Sequence, residues 1–331
     1  MLILTICLII DPSLTYTQSG NYLNDWHRHN SGNTSKVQPL RHPCNPHTVR
    51  CTRPTQQSRV VSDLLSTTDS KTPSVLLSLD ISTAFDTHDH RRLLDRSKEL
   101  FGFDDTVLQW LSSYLAGRSQ FVSIGGRHSS TVTMTTAVSQ GSVLGPLLFS
   151  IFTTPVGSLI RSFGVQYHQY DDDTQLYTAI TSMPDSIINL SACADAVTTW
   201  HIQNEILLNP TKTKALVTGT RQQVTKIDQS AGIMAMGASV PFVNKIWVLG
   251  VTIDSELLFD DHITSVVRAC NFHIRAMRQI RHQLNQDVAN TIACSIVCSR
   301  LDYCNTVLYG VTAYNISRLQ RILEHSSSSR I

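Results

Sequence analysis

Apolar and polar residues alternate along this chain in two periods, and each change of period marks an element. SVLLSLD (74–80) is a short apolar run ending in Asp80 and reads as a buried strand. RRLLDRSKELFG (91–102) and DDTVLQWLSSYLAG (104–117) space apolar residues three and four apart, which predicts two helices separated near Gly102. FVSIGG (121–126) and STVTMTTAVSQG (130–141) alternate as strands do. GSVLGPLLFSIFTTPVGSLIRSFG (141–164) is a glycine-rich turn opening a long apolar helix, with a disturbance expected at Pro155. GVQYHQY (164–170) and TQLYTAI (174–180) are two short strands on either side of Asp171, Asp172 and Asp173, which puts the three carboxylates at a hairpin tip. A helix over 184–205, a strand at KALVTGT (214–220) and a hairpin in VPFVNKIWVLGVTID (240–254) follow, and from Asp260 to about residue 325 the pattern is helical. Helices and strands alternate with some strands adjacent as hairpins, so the class is α+β on a mostly antiparallel sheet.

From Asp11 to about Ser70 no period is sustained, and the richness in Ser, Thr, Asn, His and Pro predicts a poorly ordered leader, assigned to residues 1–57. Its first ten residues, MLILTICLII, are too short to span a bilayer and lack the basic start of a signal peptide; they are signal-like at most, and no stable membrane association is expected. A hydrophobic fraction of 41% is enough for a real core, and a net charge of +2 announces no global nucleic-acid field. The distribution changes that picture, because residues 262–331 hold eight arginines against Asp287, Asp302 and Glu324, a local balance of +5. Such a section suits phosphates or an ordinary Arg-rich helical surface. The eight cysteines fit neither a small disulfide scaffold nor paired zinc knuckles and read as reduced intracellular thiols, in nucleus or cytoplasm. Cys44, His47 and Cys51 lack a fourth ligand, His88, His90 and His168 lack zinc spacing, and Cys294 and Cys298 share a helical face suited to packing.

Three adjacent aspartates repel one another unless solvated or neutralised by a cation, while a polar hairpin turn would also favour Asp. With Asp80 they make two carboxylate sites at strand ends, with no basic partner nearby in sequence. If the strands are neighbours, these acidic ends converge, an oxygen-only donor set suited to Mg²⁺ and to two-metal phosphoryl transfer.

LDISTAFDTHDH (79–90), SQGSVLGPLLFSIF (139–152), QYDDDTQLY (169–177), LLNPTKTKALVTG (207–219) and VLGVTID (248–254) resemble, in order, the palm motifs of reverse transcriptases from non-LTR (LINE-type) retrotransposons. The similarity continues into LDYCNTVLYG and RLQRI and covers about residues 58 to 325. It implies a polymerase palm at 58–259, an antiparallel sheet with helices on one face, then a helical, basic, thumb-like section at 260–331, with the fingers largely missing. It also implies an RNA-directed DNA polymerase that transfers a deoxynucleotide to a primer 3′-hydroxyl, with RNA template, DNA primer and dNTP as partners and Mg²⁺, or Mn²⁺, as cofactor. The implied metal ligands are Asp80, the carbonyl of Ile81, Asp172 and Asp173. Phe85 would exclude a 2′-hydroxyl, and Asp86 holds the second acidic position of its motif or caps a helix. Gln140, Gly141 and Gly145 would line the nucleotide and template pocket, Lys212 would protonate departing pyrophosphate, and Trp247, Leu249 and Gly250 would belong to the primer-gripping hairpin or to the core.

Asp171, Ser139 and Lys214 depart from the family pattern, which has a small or apolar residue, a proline and an acid there. The basic fingers motifs are not found upstream of residue 58, the chain stops at LEHSSSSRI, and there is no endonuclease domain. The chain therefore reads as a partial copy. Its alternative to a polymerase is a catalytically inactive remnant with at most nucleic-acid binding.

Overall fold

The computed structural model describes residues 53–82, 88–138, 142–230 and 232–327, all within one compact unit, Thr52–Ile331. Helix α1 (Arg53–Asp69) leads into strand β1 (Ser74–Leu79), followed by α2 (His90–Phe101) and α3 (Asp105–Leu115). The two helices part where expected: Asp89 and Asp104 accept from the N–H groups of Arg92 and Val107, and Gly102 ends α2 at φ 63°, a left-handed conformation that costs glycine little. Helix α4 (Gly145–Ser162) precedes the hairpin β2 (Gln166–Tyr170) and β3 (Asp173–Ala179), then α5 (Met183–Gln203) and β4 (Lys214–Thr218). Two further hairpins, β5 (Ile233–Ala235) with β6 (Ala238–Val240) and β7 (Lys245–Val248) with β8 (Val251–Asp254), precede the helices α6 (Asp260–Ile280), α7 (Gln286–Ala293) and α8 (Ala313–Ser327).

The central sheet has the order β2-β3-β1-β4, antiparallel throughout. Strand β1 is buried along its whole length, which is why its sequence reads as a continuous apolar run rather than an alternating one. One face, carrying Val75, Leu77, Leu79, Leu176, Ala215 and Val217, packs on α4, α5 and the β5–β6 hairpin through Val156, Ile160, Leu190, Val197 and Ile233. The other face presents Leu76, Tyr177 and Leu216 to Val60, Val61 and Leu64 of α1 and to Ile246, Val251, Phe259 and Ile263. Each fully buried Val, Leu, Ile or Phe among these contributes about 1.5–3 kcal/mol. A separate cluster, Cys270, Ile274, Met277, Ala293, Val297 and Ile322, holds the C-terminal helices together.

The structure corrects four expectations. Helices do not cover one face alone, because α1 lies on the second. That helix forms inside the stretch expected to be poorly ordered; residues 1–52 lie outside the described residues. Helix α4 runs through Pro155 unbroken, and the Arg96 guanidinium donates to the Phe152 carbonyl on the turn before the proline. Between residues 119 and 133 the strands are only two residues long and exposed, since no layer packs on them. Among the described residues no helix is long and apolar enough to cross a membrane.

Candidate active site

The ladder between β1 and β3 ends at the pair Leu79 and Thr174. Carrying that register one step further sets Asp80 against Asp173, on the face that carries Ser78 and Gln175 and then Leu76 and Tyr177. Opposed residues of an antiparallel pair stand ~4.5–5.5 Å apart at Cα. The strand ends thus converge as their apolar runs require: shifting β3 by one residue would turn Leu176 out of the core.

A second segment closes on the same strand end. Ile81 bridges Leu208, the Ser82 N–H donates to the Leu207 carbonyl at 2.8 Å, and the Asn209 N–H donates to the Asp80 carbonyl at 2.8 Å. The Asn209 side chain then accepts from the N–H and hydroxyl of Thr211, and its carbonyl from the N–H and hydroxyl of Thr213, folding 209–213 into a tight turn. The turn brings Lys212 Nζ to 3.2 Å from Asp80 Oδ2, an oxygen that is buried and makes no hydrogen bond. Although no base lies near Asp80 in sequence, the fold supplies one.

Tyr170 pairs with Asp173, so the hairpin turns through Asp171 and Asp172 alone. Asp171 sits at φ 49°, a conformation that Asp tolerates better than most side chains. Turn geometry therefore accounts for the third aspartate, while Asp172 and Asp173 stay half-buried beside the strand end.

The family described as "Reverse transcriptase (RNA-dependent DNA polymerase)" matches residues 35–253. This chain belongs to the reverse transcriptase family. The match starts inside the stretch assigned to a leader. The RNA-directed DNA polymerase from mobile element jockey is 29% identical over 84% of this chain in Drosophila melanogaster and 30% identical over 82% in Drosophila funebris; the probable RNA-directed DNA polymerase from transposon BS of Drosophila melanogaster is 27% identical over 79%. These bear out the resemblance to non-LTR elements. The chain spans about 30% of the length of each. Telomerase from Candida albicans, solved with a fragment of telomeric RNA, shares the fold at a TM-score of 0.51 and 10% identity, over 82% of this chain and 50% of the telomerase chain.

Not every expected residue of this reverse transcriptase chain joins the site. Phe85, Asp86, Gln140 and Gly141 lie outside the described residues, as do Cys44, His47 and Cys51. Gly145 is buried at the first turn of α4, and Ile81 is buried beside Asp80. Among the described residues no group of three or more His, Cys, Asp or Glu side chains is arranged to hold a metal ion. Of the histidines that lack zinc spacing, His88 lies edge-on to Phe149 and Phe152, His90 bonds the Ala137 carbonyl, and His168 stacks on Tyr177. Cys298 is half-buried, its thiol pushed up to about 11 by burial and Cys294, but Cys294 is exposed rather than packed.

Two features were missed. The Tyr177 hydroxyl donates to Asp63 Oδ2 at 2.5 Å, and His168 Nε2 stands 3.9 Å from the same oxygen, so α1 grips the aspartate hairpin. Burial pushes the Asp63 carboxyl up, but His168 and Tyr177 more than offset this and hold it below its usual value. Beyond Lys214 a groove of about 430 Å³ opens between β7, β8 and α6, lined by Lys214, Lys245, Trp247, Asp261 and Arg268. Its hairpin turns at Leu249 (φ 46°) and Gly250 (φ 83°), a primed turn braced by the Tyr303 hydroxyl on the Leu249 carbonyl, and it leaves Trp247 70% exposed.

Proposed function

We propose that the chain is the RNA-directed DNA polymerase core of a non-LTR retrotransposon, adding deoxynucleotides to a primer 3′-hydroxyl on an RNA template. The observation that carries this reading is the β1–β3 register, whose last pair, Leu79 and Thr174, brings the following Asp80 and the preceding Asp173 to one strand end, where the buried Asp80 Oδ2 stands 3.2 Å from the Lys212 ammonium. This donor set fits Mg²⁺, which takes oxygen ligands and commonly uses one or two protein carboxylates together with substrate phosphates. Asp80, Asp172 and Asp173, with the carbonyl of Ile81, would hold it. Bound there, Mg²⁺ or Mn²⁺ supplies Lewis-acid stabilisation of charge on the transferring phosphoryl group and lowers the pKa of the primer hydroxyl.

The chain's own groups do the rest. Lys212, whose Nζ stands 3.2 Å from Asp80 Oδ2, would give its proton to the departing pyrophosphate oxygen. Phe85 excludes a 2′-hydroxyl by its bulk, and Gln140, Gly141 and Gly145 shape the nucleotide and template pocket. Residues 58–259 act as the palm. The groove at Trp247 and Arg268 takes the primer strand, and α6–α8, with their own apolar cluster, serve as the thumb-like section at 260–331.

One observation favours the inert-remnant reading, the Lys212 ammonium standing on Asp80 where a divalent ion would bind. Incubation of the purified chain with oligo(dT) on poly(rA), dTTP and Mg²⁺, beside Asp172→Asn, separates the two. Extension by the wild type that the variant lacks supports the polymerase; none in Mg²⁺ or Mn²⁺ by a folded chain supports the remnant.

A further inference from the structure

From Thr106 to Tyr170 the chain contains no acidic residue, while Arg118, Arg127 and Arg161 are present. The middle of this segment, residues 119–133, is exposed throughout. At its base Asp89 bridges Thr136, and the Ala137 N–H donates to the His88 carbonyl, tying it to the segment that follows Asp80. Its two short ladders pair Ser119 with Thr133 and Ile124 with Arg127, the inner one turning at Gly125 and Gly126, both at positive φ.

The side chains presented there are unusual for a solvated loop. Phe121, Val122, Ile124 and Val132 are each more than half exposed. Phe121 stands edge-on to His128, with ring centroids 4.9 Å apart. Trp110 and Tyr114, both half-buried, lie near-parallel one helical turn apart on α3, and the Arg118 guanidinium covers Tyr114 at 4.4 Å from its centroid. The exposed Phe121 ring, in a stretch of sequence that carries Arg118 and Arg127 and no acid, matches what an unpaired nucleic-acid strand requires: a face for bases and positive charge for phosphates. A protein partner of ordinary mixed charge has no such need of a stretch without acids.

We propose that residues 118–134, with Trp110 and Tyr114, form a platform for single-stranded RNA, Phe121 stacking on a base and Arg127 meeting a phosphate. Its assignment to the template strand rests on the polymerase reading; the binding itself does not.

The test uses the full chain and a 5′-fluorescein-labelled 20-nucleotide oligo(U), followed by anisotropy in EDTA without dNTP, so that catalysis plays no part. Phe121→Ala is expected to weaken binding by about 5- to 100-fold with an unchanged salt slope. Arg127→Ala is expected to lower that slope by about 0.7, the share of one contact to a single strand. Both residues are exposed, so melting temperatures should match the wild type. Irradiation with 4-thiouridine RNA should place an adduct on the tryptic peptide Ser119–Arg127. Wild-type affinity in both variants, or adducts confined to other peptides, overturns the proposal. So does a change of oligomeric state in Phe121→Ala at unaltered RNA affinity, which would make this face a contact between copies. If Phe121→Ala loses binding while the wild type extends no primer, the strand-binding face stands and the polymerase reading falls; extension with binding unaffected gives the reverse.

Discussion

Replacing Lys212 by Met removes a cation from the strand end and keeps the apolar stem. The ion pair it breaks is short, 3.2 Å, but the Lys212 side chain is 64% exposed and that of Asp80 21%, so water screens much of the attraction. Discounted in this way, the pair is worth at most ~1 kcal/mol, and the melting temperature should fall by no more than about 4 °C. The same ammonium competes with any divalent ion for Asp80 Oδ2. Its removal should strengthen Mn²⁺ binding by up to about fivefold, the equivalent of ~1 kcal/mol, while primer extension falls by about 10²- to 10⁴-fold through loss of the general acid. Mn²⁺ affinity is read by electron paramagnetic resonance or calorimetry, and extension on oligo(dT)–poly(rA) at saturating metal. Opposite movement of the two quantities is the signature of a lysine that both guards the carboxylate and serves the chemistry. Unchanged metal affinity with unchanged extension would leave Lys212 a surface lysine. Weaker metal binding with a large loss of stability would make it structural.

Asp171→Gly places the residue best suited to positive φ at the hairpin tip and should melt at or slightly above the wild-type temperature with extension retained; lost extension would give this third carboxylate a role beyond the turn. Gly250→Ala puts a methyl 2.8 Å from Tyr303 Cε1 at φ 83°, and thermal or urea unfolding should show a loss of about 1–3 kcal/mol. Tyr177→Phe removes a hydrogen bond to Asp63, and because that carboxylate is more than half exposed the cost should be about 1 kcal/mol at neutral pH. Asp63 has its folded pKa depressed, so its stabilisation is fully present above the unfolded value of 3.8 and is lost as pH falls through the lower folded one; urea unfolding from pH 7 to pH 3 should show the gap between wild type and Tyr177→Phe narrowing only below about pH 4.

What was legible in the sequence was local or periodic. The α2–α3 break at Gly102 and the aspartate hairpin are written in caps and in strand runs flanking a turn, and the structure keeps them within a residue or two. Helix α1 was not legible, because Ser, Thr and Asp fill the positions between its few apolar ones and its stability comes from Val60, Val61 and Leu64 meeting a sheet built from later sequence. The strands of 119–133 were overread for the converse reason: alternation predicts a half-buried strand, and here nothing covers it. The likeness to reverse transcriptases was read from five ordered motifs, and the pairing of Lys212 with Asp80 emerged only from the turn at Asn209.

The location of the proposed site follows from where the second layer ends. Along the sheet face beneath α1, the cross-strand rows run from Leu76, Leu216 and Tyr177, sealed by apolar side chains, to Ser78, Gln175, His168 and Lys214, and then to Asp80, Asp173 and Tyr170. The opposite face stays apolar to Leu79, so the sheet remains anchored beneath its own charged end. Carboxylates in the first row would have been desolvated at a cost of several kcal/mol each. In the third they stand at the strand ends, half-buried rather than sealed. An active-site carboxylate must be rigid without being sealed, and that combination is available on this sheet only where one face loses its cover before the other does.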